Sequence, residues 1–242
     1  MRLNSIIKYR LHRYYFSSRP ILPLVGVLCF MGVLYSTKPT SICSSYIVSG
    51  VFHFCLSVFV ALSINGSEEV REEQLLLLHA KCNVRYYFAR ELSLSIISCV
   101  YGGVLILGPV ITNVFNGFRS FFRPLTLCDV AMGALIILGS GFGGIAIGDM
   151  FHPRIMSDRK VAVVLTIGIM ILSIVKDVII EENRGLRFLG IMLPSVMYPS
   201  RNQGDEDYIK LAIGITFVIM MILYYLLVAL IKNAVINRRK FS

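Results

Sequence analysis

The chain has 242 residues, of which 56% are apolar and only 16% are charged, whereas about a quarter of the residues of a soluble globular protein are charged. This balance excludes an ordinary soluble domain and indicates an integral membrane protein. The net charge of +10 does not indicate nucleic-acid binding, because the basic residues are spread over many segments instead of one soluble face.

Residues 1–19 precede the first apolar run and predict an amphipathic helix. One arc of the helical wheel is apolar, and it holds Leu3, Ile6, Ile7, Leu11 and Tyr14. Basic residues fill the other arc, so we expect a helix that lies flat on an anionic membrane surface. Arg10 falls inside the apolar arc, which leaves an unstructured basic tail as an alternative. A cleaved signal peptide is disfavoured, because no small-residue cleavage site follows Tyr35.

Six apolar runs approach the roughly 17 to 25 residues that a spanning helix needs. They cover residues 21–36, 46–64, 92–114, 127–150, 161–180 and 211–231. With a cytoplasmic N-terminus, 16 of the 24 lysines and arginines fall in cytoplasmic segments, as the positive-inside rule requires. We therefore expect an all-α membrane protein with six transmembrane helices, one domain over residues 1–242, and both termini cytoplasmic. The expected location is the plasma membrane of a bacterial cell.

Residues 65–91 form a charged insert between the second and third runs. Ser67 can cap a helix whose first turns are acidic, and acids there complement the positive helix N-terminus. Four consecutive leucines follow at 75–78 and leave more apolar surface than water alone accommodates. Asn83 is placed to cap a second helix that continues into the third span. A solvated connecting loop is the alternative.

The fourth run is rich in glycine at residues 139–148, which predicts close helix packing. No lysine accompanies these glycines, and the chain has no P-loop or other common catalytic motif. The glutamate pairs at 68–69 and 181–182 lack the arginine of E-E-x-x-x-R proteases, and His53, His79 and His152 are far apart in sequence. We therefore expect no enzyme activity, bound metal or cofactor in this chain.

Ionisable residues are costly in a membrane and therefore suggest function. The candidates fall near the ends of the apolar runs, where we expect them to reach water or lipid headgroups: Asp129, Asp149, Lys176, Asp177 and Lys210. No carboxylate is central in a run, which disfavours an ion-coupled transporter. The six cysteines are scattered and favour buried free thiols, although a disulfide between Cys43 and Cys128 stays open.

Residues 183–207 separate the fifth and sixth runs. The apolar piece at 188–198 is too short to cross a membrane and is broken at Pro194 and Pro199. This pattern predicts a re-entrant pair of half-helices on the outer side, which protein must shelter from lipid. A plain extracellular loop is the alternative, because arginines flank the segment.

This layout of spans, basic N-terminal helix, acid-led insert and broken outer segment resembles the permease subunits of type-2 ABC exporters. The resemblance implies that the insert is a cytoplasmic coupling helix that docks on a separate ATPase subunit, which would bind ATP and Mg²⁺. The residues that match this role are Glu68, Glu69, Arg71, Glu72, Glu73, Leu75, Leu76 and Leu78. The resemblance also implies a second permease copy, identical or related.

Between two such copies, the resemblance implies a pathway for an amphipathic or hydrophobic cargo, such as an antimicrobial peptide, a drug or a lipid-like compound. Span membership suggests as lining residues Ser49, Phe52, His53, Ser57, Thr166, Met170 and Ser173. The same residues are equally compatible with ordinary helix packing or lipid contact. The alternative functions are a stand-alone membrane immunity or scaffold protein and a degenerate intramembrane protease.

Overall fold

A computed structural model of the chain describes residues 3–66, 70–80, 83–156, 158–182, 190, 192–201 and 208–238. Within these ranges all regular secondary structure is helical, apart from one isolated β-bridge between Thr40 and Phe121. The helices are α1 (Leu3–Tyr15), α2 (Ile21–Leu34), α3 (Ile42–Asn65), α4 (Val70–Ala80), α5 (Asn83–Phe115), α6 (Leu127–Gly148), α7 (Arg159–Glu182), α8 (Tyr198–Arg201) and α9 (Leu211–Arg238).

Five helices in the described part of the chain are long and apolar enough to cross a membrane: α3, α5, α6, α7 and α9. The prediction of an all-α, multi-pass membrane protein is confirmed to this extent. Helix α2 is apolar but has only 14 residues, so a sixth crossing stays a prediction.

Helix α6 is the centre of the bundle. Of its most apolar stretch, 67% is buried inside the protein, whereas only 22% of the corresponding stretch is buried in α7 and in α9. Its glycines allow this position, because a Cβ at Gly144 would lie 2.4 Å from the carbonyl oxygen of Phe54 in α3. Gly139 and Gly143 make room for side chains of α9. The close helix packing predicted for this glycine-rich run is confirmed.

One end of the bundle gathers α1, α4, the start of α5 and the end of α9. Their apolar side chains form one cluster, which includes Ile6, Ile7, Leu77, Tyr86, Tyr87 and Ile236. We call this end the α4 end. At the opposite, far end, the loops 35–41 and 116–126 meet where the Thr40 amide donates to the Ser120 carbonyl at 3.0 Å. The first and last helices of the described chain therefore reach the same end.

Helix α1 buries the apolar arc predicted for it, since Ile6, Ile7 and Tyr14 are shielded by the bundle. Arg10 is buried with them: it donates to the Tyr86 hydroxyl at 3.2 Å and lies 5.7 Å from the centre of that ring. The helix is thus held against α5 by both apolar and polar contacts. Its position flat on a membrane stays a prediction.

The glycine contacts of α6 predict the effect of adding one methyl group. We expect Gly144→Ala to lower the free energy of unfolding by about 1 to 3 kcal/mol, because the backbone of α3 must move away. Gly103→Ala in α5 is the matched control: a Cβ there meets nothing within 4 Å, and alanine favours a helix by up to about 1 kcal/mol over glycine. Thermal unfolding in mild detergent, followed by circular dichroism, compares the two. Equal stability of both variants would contradict this packing.

Candidate functional site

Four helix ends meet at a buried ionic cluster at the α4 end. Asp149, the residue that follows α6, accepts a hydrogen bond at 2.6 Å from the Arg90 guanidinium of α5. Lys232 of α9 bonds both Asp149 and the neighbouring Glu91. Arg90 also donates to the Asn65 side chain at the end of α3. All five side chains are buried, and Arg90 is 0% exposed.

The cluster contains two cations and two carboxylates, so its formal charges cancel. Removing an ion from water costs several kcal/mol, and this cost is recovered only when partners surround the charge. Burial alone would raise the pKa of Asp149, but Arg90 and Lys232 outweigh it and hold that pKa well below its usual range. Asp149 is therefore ionised at neutral pH. The Tyr225 hydroxyl completes the cluster by donating to Glu91 at 3.0 Å.

A second group of polar side chains ties α4 to the bundle. Glu73 of α4 accepts a hydrogen bond at 3.2 Å from Arg154 in the loop 149–158. Arg154 also donates to the Tyr87 hydroxyl of α5 at 2.7 Å. The Glu73 side chain is only 4% exposed in the single chain, so it contributes to holding α4 against the bundle. Its predicted role in docking stays a prediction.

His152 lies between these two groups. Burial and the nearby Arg90 guanidinium lower the pKa of His152 to about 2. Its Nδ1 accepts a hydrogen bond from the Arg154 amide at 3.2 Å, so in the neutral ring the proton is on Nε2. That atom is 3.9 Å from Glu73, beyond hydrogen-bonding distance.

The leucines of α4 divide between two environments. Leu77 is buried in the cluster at the α4 end, and Leu76 packs partly against it. Leu75 and Leu78 are 57% and 74% exposed and form an apolar surface on the outside of the helix. Among the other residues predicted to dock, Glu68 and Glu69 lie outside the described residues, as do the side chains of Arg71 and Glu72.

The polar residues proposed for a pathway are buried within the single chain. His53 and Ser57 of α3 are joined through Ser98 of α5, whose hydroxyl lies 3.1 Å from His53 Nε2 and 2.9 Å from the Ser57 hydroxyl. Ser49, Thr166 and Ser173 are also buried. Ser98 was not predicted from the sequence, although its position four residues before Gly102 places it on the face of α5 that meets His53.

The two apolar pathway candidates contact neighbouring helices. Phe52 stacks on Phe30 of α2 with 4.0 Å between the ring centroids, and Met170 of α7 packs partly against a core cluster that includes Phe54. In this conformation the seven candidates therefore do not line one open cavity. Their role in a pathway stays a prediction.

At the far end, Gly190 and several residues between 193 and 201 contact the last turns of α7. Lys176 donates to the carbonyls of Gly190 and Leu193, and the Ser195 hydroxyl donates to Asp177 at 3.1 Å. Pro194 and Pro199 are both buried. The re-entrant hairpin stays a prediction, because residues 183–189, 191 and 202–207 lie outside the described part of the chain.

The expectation that the charges near span ends reach water is wrong for four residues. Asp129, Asp149, Lys176 and Asp177 are all buried, and each is bonded to protein groups. Asp129, for example, takes two hydrogen bonds of 2.7 Å from Arg123. Lys210 is exposed, as expected.

The described cysteines and potential metal ligands add no further site. Cys43 is buried and Cys128 is exposed, and neither forms a disulfide. In the ranges that the structure describes, no three histidine, cysteine, aspartate or glutamate side chains are grouped so that they could hold a metal ion.

Comparison with protein-family models, with curated proteins and with solved structures finds no match for this chain. The geometry of the α4 end is therefore the basis for proposing a function.

The ionic cluster predicts that Asp149→Asn destabilises the protein by about 3 to 5 kcal/mol, because two buried cations lose a charged partner. Glu181→Gln is the matched control: it makes the same carboxylate-to-amide change in the exposed pair with Arg201, which contributes at most about 1 kcal/mol. Thermal unfolding in detergent measures both. Similar losses for the two variants would show that the buried cluster does not hold the helix ends together.

His152 predicts a pH dependence of stability. In the unfolded chain it binds a proton below pH of about 6.5, but in the folded protein only near its lowered pKa of about 2. The folded protein is therefore more stable at neutral than at acidic pH. The contribution of His152 to the free energy of unfolding falls by about 1.4 kcal/mol per pH unit below pH 6.5. Unfolding titrations between about pH 7 and 5 should show a smaller loss of unfolding free energy for His152→Asn than for the wild type. Identical slopes would contradict the buried neutral state.

Proposed function

We propose that this chain is the permease subunit of an ATP-driven exporter of the type-2 ABC kind, and that α4 is its coupling helix. The observation that carries the proposal is the two-sided structure of α4. One side is anchored to the bundle by Leu77 and Glu73, while the other presents Leu75 and Leu78. An exposed apolar surface on a short connecting helix favours a protein partner, and a short amphipathic helix can seat its apolar residues in a groove.

The contacts of α4 provide a route by which a push on the helix would reach the bundle. Glu73 transfers the displacement to Arg154 and the loop 149–158. That loop begins at Asp149, which is bonded to α5 and α9 through Arg90 and Lys232. Because buried ion pairs are costly to break one partner at a time, these helix ends would move together. With these contacts, α4 is suited to transmit movement of a cytoplasmic subunit to the transmembrane helices.

The remaining features of the proposal follow from the resemblance. The α4 end would face the cytoplasm of a bacterial cell, with both termini there and α2 as a sixth crossing. A second copy would complete the pathway, while the separate ATPase would bind ATP and Mg²⁺. The outer segment around Pro194 and Pro199 would cover the far end as a re-entrant hairpin.

The cargo proposed is amphipathic or hydrophobic. Thr166, Met170 and Ser173 on α7 would reach a pathway only if α7 moved relative to α3, because both hydroxyls are buried in the present conformation. Helix α7 is suited to such movement, since only 22% of its most apolar stretch is buried in the single chain. Its remaining surface is available to lipid or to the second copy.

The proposal predicts that Leu75→Ser/Leu78→Ser uncouples the permease from its ATPase. Both side chains are exposed, so folding should be unchanged, while loss of two apolar contacts should weaken the complex at least about tenfold. The complex is purified from native membranes through a tag on this chain, and its ATP hydrolysis and subunit content are measured.

Leu127→Ser/Leu211→Ser makes the same double change at the far end, where both leucines are exposed. This control should retain the ATPase. A wild-type preparation without a P-loop ATPase, or cargo transport that proceeds without ATP, would refute the exporter function. Metal-dependent peptide cleavage by the purified chain would instead favour the protease alternative.

A further inference from the structure

An exposed apolar surface lies at the far end, on the loop 116–126 between α5 and α6. In this loop Phe118 is 72% exposed and Phe122 is 71% exposed. The surface continues onto the ends of the two helices, where Phe115 and Leu127 are exposed even more. Residues 100–128 contain no aspartate or glutamate. The loop therefore presents large apolar side chains and carries no negative charge.

The outward position of Phe122 is set by contacts on the inner side of the loop. The Thr40 amide donates to the Ser120 carbonyl at 3.0 Å, and the Phe122 amide donates to the Thr40 carbonyl at 3.2 Å. Between these two bonds, the Phe121 side chain is buried and meets Tyr35 edge-on, with 6.3 Å between the ring centroids. Because Phe121 occupies the inside of the loop, the ring of Phe122 lies outside it.

Phe118 has a backbone conformation that is unusual for a bulky residue. Its φ is +62°, in the left-handed region, where a Cβ crowds the following carbonyl oxygen. Glycine adopts this conformation without that cost, as the preceding Gly117 does with a φ of +61°. The Phe118 amide donates to the Asn113 carbonyl at 2.8 Å, which holds the turn in place. A strained residue whose ring lies outside the protein indicates a use for that ring.

The position of the loop matches the surface of a bilayer. Helix α6 begins directly after the loop at Leu127 and has 22 residues, so it extends over about 33 Å. The hydrocarbon layer of a bilayer is about 30 Å thick. The other end of α6 is fixed at the α4 end, where Asp149 belongs to the ionic cluster. A crossing by α6 therefore places Leu127 and the adjoining loop where hydrocarbon meets the headgroups.

We propose that the loop 116–126 is a lipid-binding surface, which inserts Phe118 and Phe122 among the phospholipid acyl chains of the leaflet at the far end. Apolar side chains of interfacial segments enter this boundary to a depth of about 5 to 10 Å. Lipid is favoured over a protein partner because the surface is continuous with the exposed ends of two apolar helices, Phe115 and Leu127. The loop would hold the ends of α5 and α6 at a fixed depth. The inference rests on the crossing by these helices and does not depend on an ATPase partner.

The test uses tryptophan fluorescence, because the natural chain contains no tryptophan. Phe118→Trp and Phe122→Trp each add one reporter to the full chain, which is placed in nanodiscs of phosphatidylcholine. Part of this lipid carries a quenching spin label at a shallow or a deep position of its acyl chain. We expect the shallow label to quench both reporters at least about twofold more than the deep label, as insertion at the headgroup boundary requires.

Phe121→Trp is the matched control, since it makes the same change one position away on a side chain that is buried against Tyr35. Lipid labels should quench this reporter at least about twofold less than the two exposed ones. Strong quenching of Phe118→Trp and Phe122→Trp by iodide, without lipid quenching, would place the loop in water and overturn the proposal. Protection of both reporters from iodide and from lipid labels would indicate a protein partner and would also overturn it.

A second measurement uses only the wild-type protein and does not depend on the folding of a variant. Phosphatidylcholine with a photoreactive group near the glycerol end of its acyl chain surrounds the protein and is activated by light. The labelled residues are then identified by mass spectrometry. The proposal predicts labelling within residues 115–122. Labelling of the long helices with none in this loop would refute the insertion.

Discussion

The bundle depends on the balance of charge around Asp149. This carboxylate lies between Arg90 and Lys232, and Glu91 supplies the second negative charge that the two cations require. None of the four is tolerated alone in a buried position, because each would keep its desolvation cost without its partner. The ends of α5, α6 and α9 are therefore fixed relative to one another by electrostatics, and Asn65 brings in the end of α3.

Glycine contacts hold the same helices close together along their length. In a bilayer, lipid tails are as apolar as the helix surfaces, so close packing and polar contacts must hold helices together. Gly139 and Gly144 let α6 approach α9 and α3 closely. The glycine contacts bring the helix axes together, and the ionic cluster sets the positions of the helix ends. Helices α7 and α9 are the least buried of the five long apolar helices.

The helical class and the close packing of α6 were predictable, because apolar length and glycine spacing are local properties of the sequence. The helix continuing from Asn83 into the third span was also predictable, because no glycine or proline interrupts residues 83–101. The cap by Asn83 stays a prediction. The ionic cluster was not. Its members come from separate helices. From the sequence alone, contact with water and contact with a buried partner are equally compatible with a charged residue near the end of an apolar run.

The burial of Glu73 was not predictable for the same reason, because its partner comes from a distant part of the sequence. Sequence analysis grouped it with the other acids of the α4 segment, because acids in a first turn all stabilise a helix. The contact of Glu73 with Arg154, 81 residues later, depends on how α4 packs against the loop after α6. The exposed surface of Leu75 and Leu78 was easier to anticipate, since four consecutive leucines cannot all fit on one face of a helix.

The short α2 has a consequence for the membrane itself. Its 14 residues extend over about 21 Å, whereas the hydrocarbon layer is about 30 Å thick. The helix cannot slide to compensate, because Tyr101 holds the Pro20 carbonyl at one end and Phe52 stacks on Phe30 near the other. If α2 crosses the membrane, thinning of the bilayer beside it would match this difference in length. Such thinning would bring the two layers of headgroups closer together along this side of the protein.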